Sequence, residues 1–338
     1  MLSRSALILV FSAGLMQGSF MFPMKYTSKW EWENTWLVFC LLGFIILPFA
    51  LVLLTVPRFE LVLASSPPRI LFLTTLFGLG WGCGSVCFGL GIKALGMGLG
   101  YSIILGLTGG LGSLIPWFSA PAKSLNYNVL LWCGVLAMLA GVVVCSLAGR
   151  ERERKAGAHA TPSEPRHGFV FGLAICVASG ILSCFMNLGF AYGAEITRRA
   201  EALGATATDA PNVLWLIIMS AGFLANAIYC VYLLVTKRSW QRYGRHETPL
   251  YLGGALAMGL LWVGSLVAYG VGANRIGRLG PSVGWPILMS LCIVVSNLWG
   301  VATGEWRGAG RRAVGTMAWG LGILVVAVVI LGFASTKA

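Results

Sequence analysis

Acidic residues are scarce in this chain: 11 Asp and Glu stand among 338 residues, and none lies at the centre of an apolar run. Histidine is scarcer, and His159, His167 and His246 all fall in polar connections. That scarcity argues against the buried acid–base cluster an integral membrane enzyme needs, and against a His-rich metal centre. Walker motifs, Gly-rich phosphate loops and a Ser–His–Asp set are missing, so an ATP-driven pump or intramembrane protease is not expected. No charged ring or filter of a pore can be read. The nine cysteines (Cys40, Cys83, Cys87, Cys133, Cys145, Cys176, Cys184, Cys230 and Cys292) lie inside apolar runs without a Cys-x-x-Cys pair, which predicts neither disulfides nor zinc. Period-two alternation is absent too, which excludes a β-barrel.

What is present is hydrophobicity. The apolar fraction is 57% and the charged fraction 10%, against about 45–50% and 25% in soluble proteins. Ten apolar runs occupy residues 3–24, 34–55, 70–92, 97–118, 128–149, 168–190, 211–236, 250–272, 280–302 and 313–333. A bilayer core takes about 20 apolar residues per helical span. Lipid offers the backbone no hydrogen bonds, so the spans should be α-helices. The first run is longer than a signal-peptide core and lacks an Ala-x-Ala site, so it reads as a retained helix. The expectation is an all-α integral membrane protein with ten transmembrane helices, short loops and no soluble domain.

A net charge of +13 raises nucleic acid as a partner, but the cations are dispersed through the loops, where they act as topology determinants. The odd-numbered loops carry 15 Lys and Arg; the even loops and tails carry 9. The positive-inside rule then puts the odd loops in the cytoplasm and both termini outside. The polar stretch 150–167, beginning Arg150-Glu151-Arg152-Glu153-Arg154-Lys155, reads as a solvated cytoplasmic linker between residues 1–149 and 168–338.

Those two parts share a pattern. Trp81, Phe88, Gly89, Gly91 and Gly96 recur as Trp262, Tyr269, Gly270, Gly272 and Gly277, at a constant offset of 181 residues. Five helices per part means that the second copy enters the membrane from the opposite side. Inverted repeats of this kind are a recurring transporter architecture, with the substrate site near the midplane. The glycines around Gly98, Gly100 and 106–112 read either as hinge elements or as ordinary small-residue packing.

The candidate site residues are uncharged polar and aromatic groups inside the spans. Gln17, Asn187 and Asn226 offer amide donors and acceptors to a neutral polyol, while Ser85 and Ser265 offer hydroxyls; helix–helix bonding is the competing use of each. Trp81, Trp262 and Trp285 provide flat faces for a sugar ring, or else simply pack. Trp30, Trp32, Trp36, Trp240 and Trp306 sit at span ends, as aromatic-belt anchors do. For proton coupling the nearest carboxylates are Glu33 and Glu305, and Lys25 is placed to pair with Glu33.

Pro23-x-Lys25, Lys29-Trp30-x-Trp32-Glu33-x-x-Trp36, Leu95-Gly96-Met97-Gly98 and Glu305-Trp306-x-x-Ala309-Gly310-Arg311-Arg312 resemble the L-rhamnose–proton symporter family of the drug/metabolite transporter superfamily. Met186-Asn187, Asn226, Trp262 with Tyr269, and Arg275-Ile276 are similar to it as well. The resemblance runs from about Met16 to Gly332. It implies ten helices with external termini, sugar uptake across the bacterial cytoplasmic membrane, and a cotransported cation, normally H⁺. One departure bears on the substrate: where the family pattern reads Asn-x-Asn-Tyr-Gly, this chain has Ser85-Val86-Cys87-Phe88-Gly89.

The reading is therefore a non-enzymatic secondary carrier, a sugar–proton symporter that needs no cofactor or metal. Its two inverted five-helix repeats enclose the substrate among Gln17, Trp81, Ser85, Asn187, Asn226, Trp262, Ser265, Tyr269 and Trp285. Glu33 with Lys25 is the candidate coupling pair. A carrier of another metabolite, or an efflux carrier, is the alternative that the altered 85–89 segment favours. A non-transporting receptor is a further one, although no large soluble domain accompanies the spans.

Overall fold

The computed structural model describes residues 4–119, 125–157 and 169–335. The linker residues His159, Arg166 and His167 thus lie outside the described residues. Every regular element described is helical: α1 (Arg4–Ser19), α2 (Trp32–Cys40), α3 (Leu47–Thr55), α4 (Phe59–Ser65), α5 (Pro68–Ser119), α6 (Leu125–Gly157) and α7 (Phe169–Ser183). After these come α8 (Phe185–Tyr192), α9 (Ala194–Ala202), α10 (Asn212–Thr236), α11 (Thr248–Ile276), α12 (Gly280–Ala302) and α13 (Gly310–Ser335). A π-helical segment, Leu41–Ile46, joins α2 to α3, so the two form one crossing, Trp32–Thr55.

Among the described residues nine helices are long and apolar enough to cross a membrane. The protein is therefore a multi-pass membrane protein. The ten full-length spans expected from the sequence become nine plus a shorter apolar helix, Ile103–Ser119. This leg belongs to α5, whose 52 residues would reach about 78 Å if straight, far beyond a bilayer core of about 30 Å. Instead α5 doubles back: a Cβ on Gly100 would lie 3.4 Å from the Gly91 carbonyl, whereas nine residues of straight helix rise about 13 Å.

Helix α7 lies between the two legs of α5. It runs antiparallel to the first leg, where Cys176 meets Gly91 and the Ser179 hydroxyl donates to Gly84 O (2.9 Å). It runs parallel to the second, where Gly180 meets Leu107. Helix α1 lies in the same way between α11 and α12. The Ser265 hydroxyl donates to Ala13 O (2.9 Å) on the antiparallel side, and Gly14 and Gly18 meet Leu291 and Val295 on the parallel side. Positions 84 and 265, each bonded to the enclosed helix of its group, stand 181 residues apart, the offset of the sequence repeat.

Small residues let these backbones touch. At the crossing of α5 and α10, a Cβ on Gly82 would fall 2.6 Å from Gly222 Cα, so neither helix tolerates a side chain there. Gly43 and Gly259 make the corresponding approach between the π-helical segment and α11. Helices α6 and α13 pack antiparallel through Gly141 on Leu324 and Gly320 on Cys145. Side chains such as Leu54, Phe72, Val170 and Trp319 face outward, as a lipid-facing surface requires.

Candidate functional site

Trp81, on α5, and Trp262, on α11, meet in the hydrophobic core. Their rings stack with centroids 5.8 Å apart and planes 24° from parallel, and both are buried. Phe20 and Phe44 pack on Trp262, and Phe39 abuts Phe20, Phe44 and Trp262, completing an aromatic box. The box depends on glycine, since a Cβ on Gly222 would lie 2.5 Å from the Trp81 ring. Gln17 stands in the last turn of α1, three residues before Phe20, which follows that helix. Its Oε1 and the Trp262 Nε1 are buried, with no hydrogen-bond partner among the described residues. One is an acceptor and the other a donor.

Two amides are committed within the fold on either side of this box. Asn226 Oδ1 accepts from Ser85 Oγ (2.7 Å) and Trp36 Nε1 (3.0 Å), while its Nδ2 donates to Gly222 O (3.0 Å). Asn187 Nδ2 donates to Gly112 O (2.7 Å) and Pro281 O (3.1 Å), and its Oδ1 accepts from the Tyr269 hydroxyl. Trp285 Nε1 donates to Thr108 O (3.0 Å), with its indole resting on Gly112. Eight of the nine sequence candidates thus fall into three groups. Trp81 and Trp262 belong to the aromatic box, with Gln17 buried three residues before its Phe20; Ser85 and Asn226 form one amide node; Asn187, Tyr269 and Trp285 cluster at the other. Ser265 is spent on the α1 backbone.

Along α12, Trp285 of the second amide node lies between two cavities. A cavity of about 400 Å³ opens at one end of α12, over Phe190, Leu214 and Pro281, rimmed by Arg198, Glu201, Asn274 and Arg278. Another, of about 310 Å³, opens at the opposite end of α12, lined by Leu105, Arg152, Ser296, Asn297 and Glu305. Both volumes lie in the range of about 300–1,000 Å³ usual for small-molecule sites. Between them α12 meets the second leg of α5 at Trp285–Thr108 and Trp285–Gly112.

The charged residues correct one expectation. Lys25 does not pair with Glu33; it binds Glu305 and Thr303. Glu33 is fully buried and is held by Lys237 (3.0 Å) and Ser239 (2.7 Å) from the α10–α11 loop. Lys29–Glu247, Glu31–Arg242 (2.5 Å) and Arg152–Glu305 (3.4 Å) complete a girdle at this end of the molecule. Burial raises the Glu305 carboxyl, but Lys25 and Arg152 outweigh that and hold it below the usual carboxylate range. At the other end the described ion pairs, Glu195–Arg198 and Glu195–Arg199, stay within one helix.

The aromatic-belt expectation also divides. Trp32 and Trp240 are exposed, but Trp30 and Trp306 are buried, with Trp30 Nε1 donating to Arg242 O (3.1 Å) and Trp306 lying under Arg152. Trp36, read from the sequence as an anchor, is a ligand of Asn226. Its position four residues after Trp32 and three before Phe39, on one helical face, was the available signal.

Nine apolar helices long enough to cross a membrane, among the described residues, define the class, a polytopic membrane protein, and the family narrows it to a carrier. The chain belongs to the L-rhamnose-proton symport protein (RhaT) family, whose model matches residues 6–336. It is 30% identical over 323 residues to the L-rhamnose-proton symporter of Shigella dysenteriae serotype 1, covering 92% of each chain. It is 31% identical to that of Shigella boydii serotype 18 and 30% to one from Escherichia coli, again over 92% of each. A solved crystal structure superposes over 99% of both chains with a TM-score of 0.57 at 17% identity, a likeness of fold alone.

Proposed function

We propose that this chain carries L-rhamnose or a related deoxysugar, together with a proton, across the bacterial cytoplasmic membrane by alternating access. The family and the printed function of its relatives support the substrate class and the coupling ion. Residues 1–149 and 168–338 form two inverted five-helix repeats, with Ile103–Ser119 as the short fourth helix. The matching bonds Ser179–Gly84 and Ser265–Ala13 support this division. The loop charge balance favours termini on the periplasmic side.

The observation that carries the reading is the Trp81–Trp262 stack. These residues are equivalent in the repeat, and positions exchanged by a twofold axis touch only beside that axis. The midplane axis is where an inverted-repeat transporter holds its substrate. An indole face suits the C–H side of a pyranose, and a hydroxyl, being both donor and acceptor, satisfies Gln17 Oε1 and Trp262 Nε1 together. The Asn187–Tyr269–Trp285 node separates the two cavities and must open for passage. The girdle of ion pairs ties loops of one half to loops of the other, so rocking the halves breaks it. The solvent-accessible pairs Lys25–Glu305, Lys29–Glu247 and Glu31–Arg242 contribute only about 0–1 kcal/mol each, compatible with repeated opening, whereas fully buried Glu33 costs more to part from Lys237. Glu33 with Lys237, and Lys25 with Glu305, straddle this seam and are the candidate coupling groups.

A thermal-shift screen of the purified protein against L-rhamnose, other deoxysugars, hexoses and amino acids tests the substrate. Stabilisation by L-rhamnose or a close deoxysugar is expected. A response to amino acids alone, or to none of these compounds, contradicts it. One observation favours a second reading, a carrier for a different metabolite: Ser85 stands where the family pattern has an amide, and a site lacking that group discriminates differently among polyols. A hit confined to another compound in the same screen selects it.

A further inference from the structure

The loop between α10 and α11 carries more positive charge than its contacts use. Lys237, Arg238, Arg242 and Arg245 line a concavity of about 480 Å³, with Glu31, Ser239 and Gln241. Glu31 neutralises Arg242, and Glu33 neutralises Lys237. Arg238 and Arg245 have no acidic partner among the described residues. Two guanidinium groups therefore share one hollow without a counter-charge, an arrangement that planar, multidentate guanidinium groups use to hold phosphate.

The hollow is built rather than incidental. Arg238 adopts a left-handed backbone, φ 54°, which non-glycine residues seldom do. The 3₁₀ segment Ser239–Gly244 that follows is fixed against α2 and the loop before it. Asn34 Nδ2 donates to Ser239 O (3.1 Å), the Tyr243 hydroxyl to Asn34 O (3.0 Å), and Arg242 Nη1 to Lys29 O (3.0 Å). Its place in the membrane points to the ligand's source. The loop begins directly after the last turn of a span, and Tyr232, Val235, Trp240 and Leu250 around it are exposed apolar side chains of the kind acyl chains cover. Basic pockets between membrane helices at this depth bind anionic headgroups.

We infer that the α10–α11 loop is a binding site for the phosphate of an anionic phospholipid, held by Arg238 and Arg245 with the lipid's chains against Tyr232 and Val235. Occupancy supplies the missing negative charge beside the Glu33–Lys237 pair. The site is distinct from the proposed sugar site, because no residue of the aromatic box takes part; it shares only Lys237 with the candidate coupling pair.

The test is native mass spectrometry of the full chain in neutral detergent, titrated with phosphatidylglycerol or with phosphatidylcholine of the same acyl chains. Arg238→Asn with Arg245→Gln is the test variant, asparagine being tolerant of the left-handed backbone. Arg307→Gln with Arg311→Gln is the charge-matched control, and unchanged lipid-free melting certifies folding. At about fivefold per cation, the test variant should bind phosphatidylglycerol about 25-fold more weakly, while the control should bind as wild type does. Equal retention of both lipids by wild type, or equal losses in test and control variants, overturns the inference. Displacement of phosphatidylglycerol by low inorganic phosphate also overturns it, by assigning the hollow to a soluble anion.

Discussion

Replacing Gln17 by methionine separates the cost of a buried amide from its use. Gln17 is 8% exposed, and its Oε1 has no donor among the described residues. A buried polar atom left unsatisfied costs about 1–3 kcal/mol. Methionine has similar length, no such atom and an adaptable thioether. The ligand-free variant should therefore be more stable by up to about 1–3 kcal/mol. At about 2–4 °C per kcal/mol for chains of comparable size, its melting midpoint rises by several degrees. The same change removes an acceptor for a sugar hydroxyl. A neutral hydrogen bond contributes about 0.5–1.5 kcal/mol net, so Kd for the sugar should rise roughly 2- to 13-fold. Thermal shift without ligand, followed by sugar titration of the same samples, reads both effects. Their opposite signs are the prediction. A higher midpoint with unchanged affinity removes Gln17 from the site, and a lower midpoint refutes the claim that its oxygen lacks a partner.

Tyr269→Phe leaves Asn187 Oδ1 buried without its donor, which costs about 1–3 kcal/mol and should lower the melting midpoint in detergent. Gly82→Ala puts a Cβ 2.6 Å from Gly222 Cα, and overpacking of about 1–3 kcal/mol or more should depress both the midpoint and expression. Gly253→Ala, with nothing within 4 Å of its Cβ, should do neither. Because Lys25 and Arg152 depress the Glu305 carboxyl below its ordinary value of 4.5, its contribution is fully present above that value and is lost as pH falls through the lower folded value. Wild type should accordingly lose midpoint below about pH 4.5 more steeply than Glu305→Gln; parallel curves contradict this. Glu33→Gln should diminish sugar-induced alkalinisation outside energised vesicles, and undiminished proton uptake removes Glu33 as the coupling group.

The helices were legible because each crossing is a long continuous apolar run, the strongest signal a sequence carries. Helix count was less so: the break after residue 92 separates two apolar runs in the sequence, but nothing in the run 97–118 signals that its helix shortens to Ile103–Ser119. Trp81 and Trp262 stood out in the sequence through their shared 181-residue offset, but nothing in that offset told that their rings would stack. Asn187 and Asn226 were recognisable as costly buried amides. Their partners were not, because backbone carbonyls of Gly112, Pro281 and Gly222 leave no mark in composition. Ion pairing was the least legible feature. Glu33 and Lys25 are close in sequence, yet each finds its partner more than 200 residues away, Lys237 and Glu305 respectively. Such pairings follow from how the two sets of helices interleave, and local spacing carries no trace of that.

Uptake of radiolabelled L-rhamnose into proteoliposomes under an imposed inward proton gradient addresses the central claim most directly. Wild type and the lipid-facing variant Trp319→Ala should concentrate the sugar until a protonophore collapses the gradient, while Trp81→Ala and Trp262→Ala should not. Accumulation by either of the last two at the wild-type rate, or none by wild type, contradicts a sugar site at the paired tryptophans.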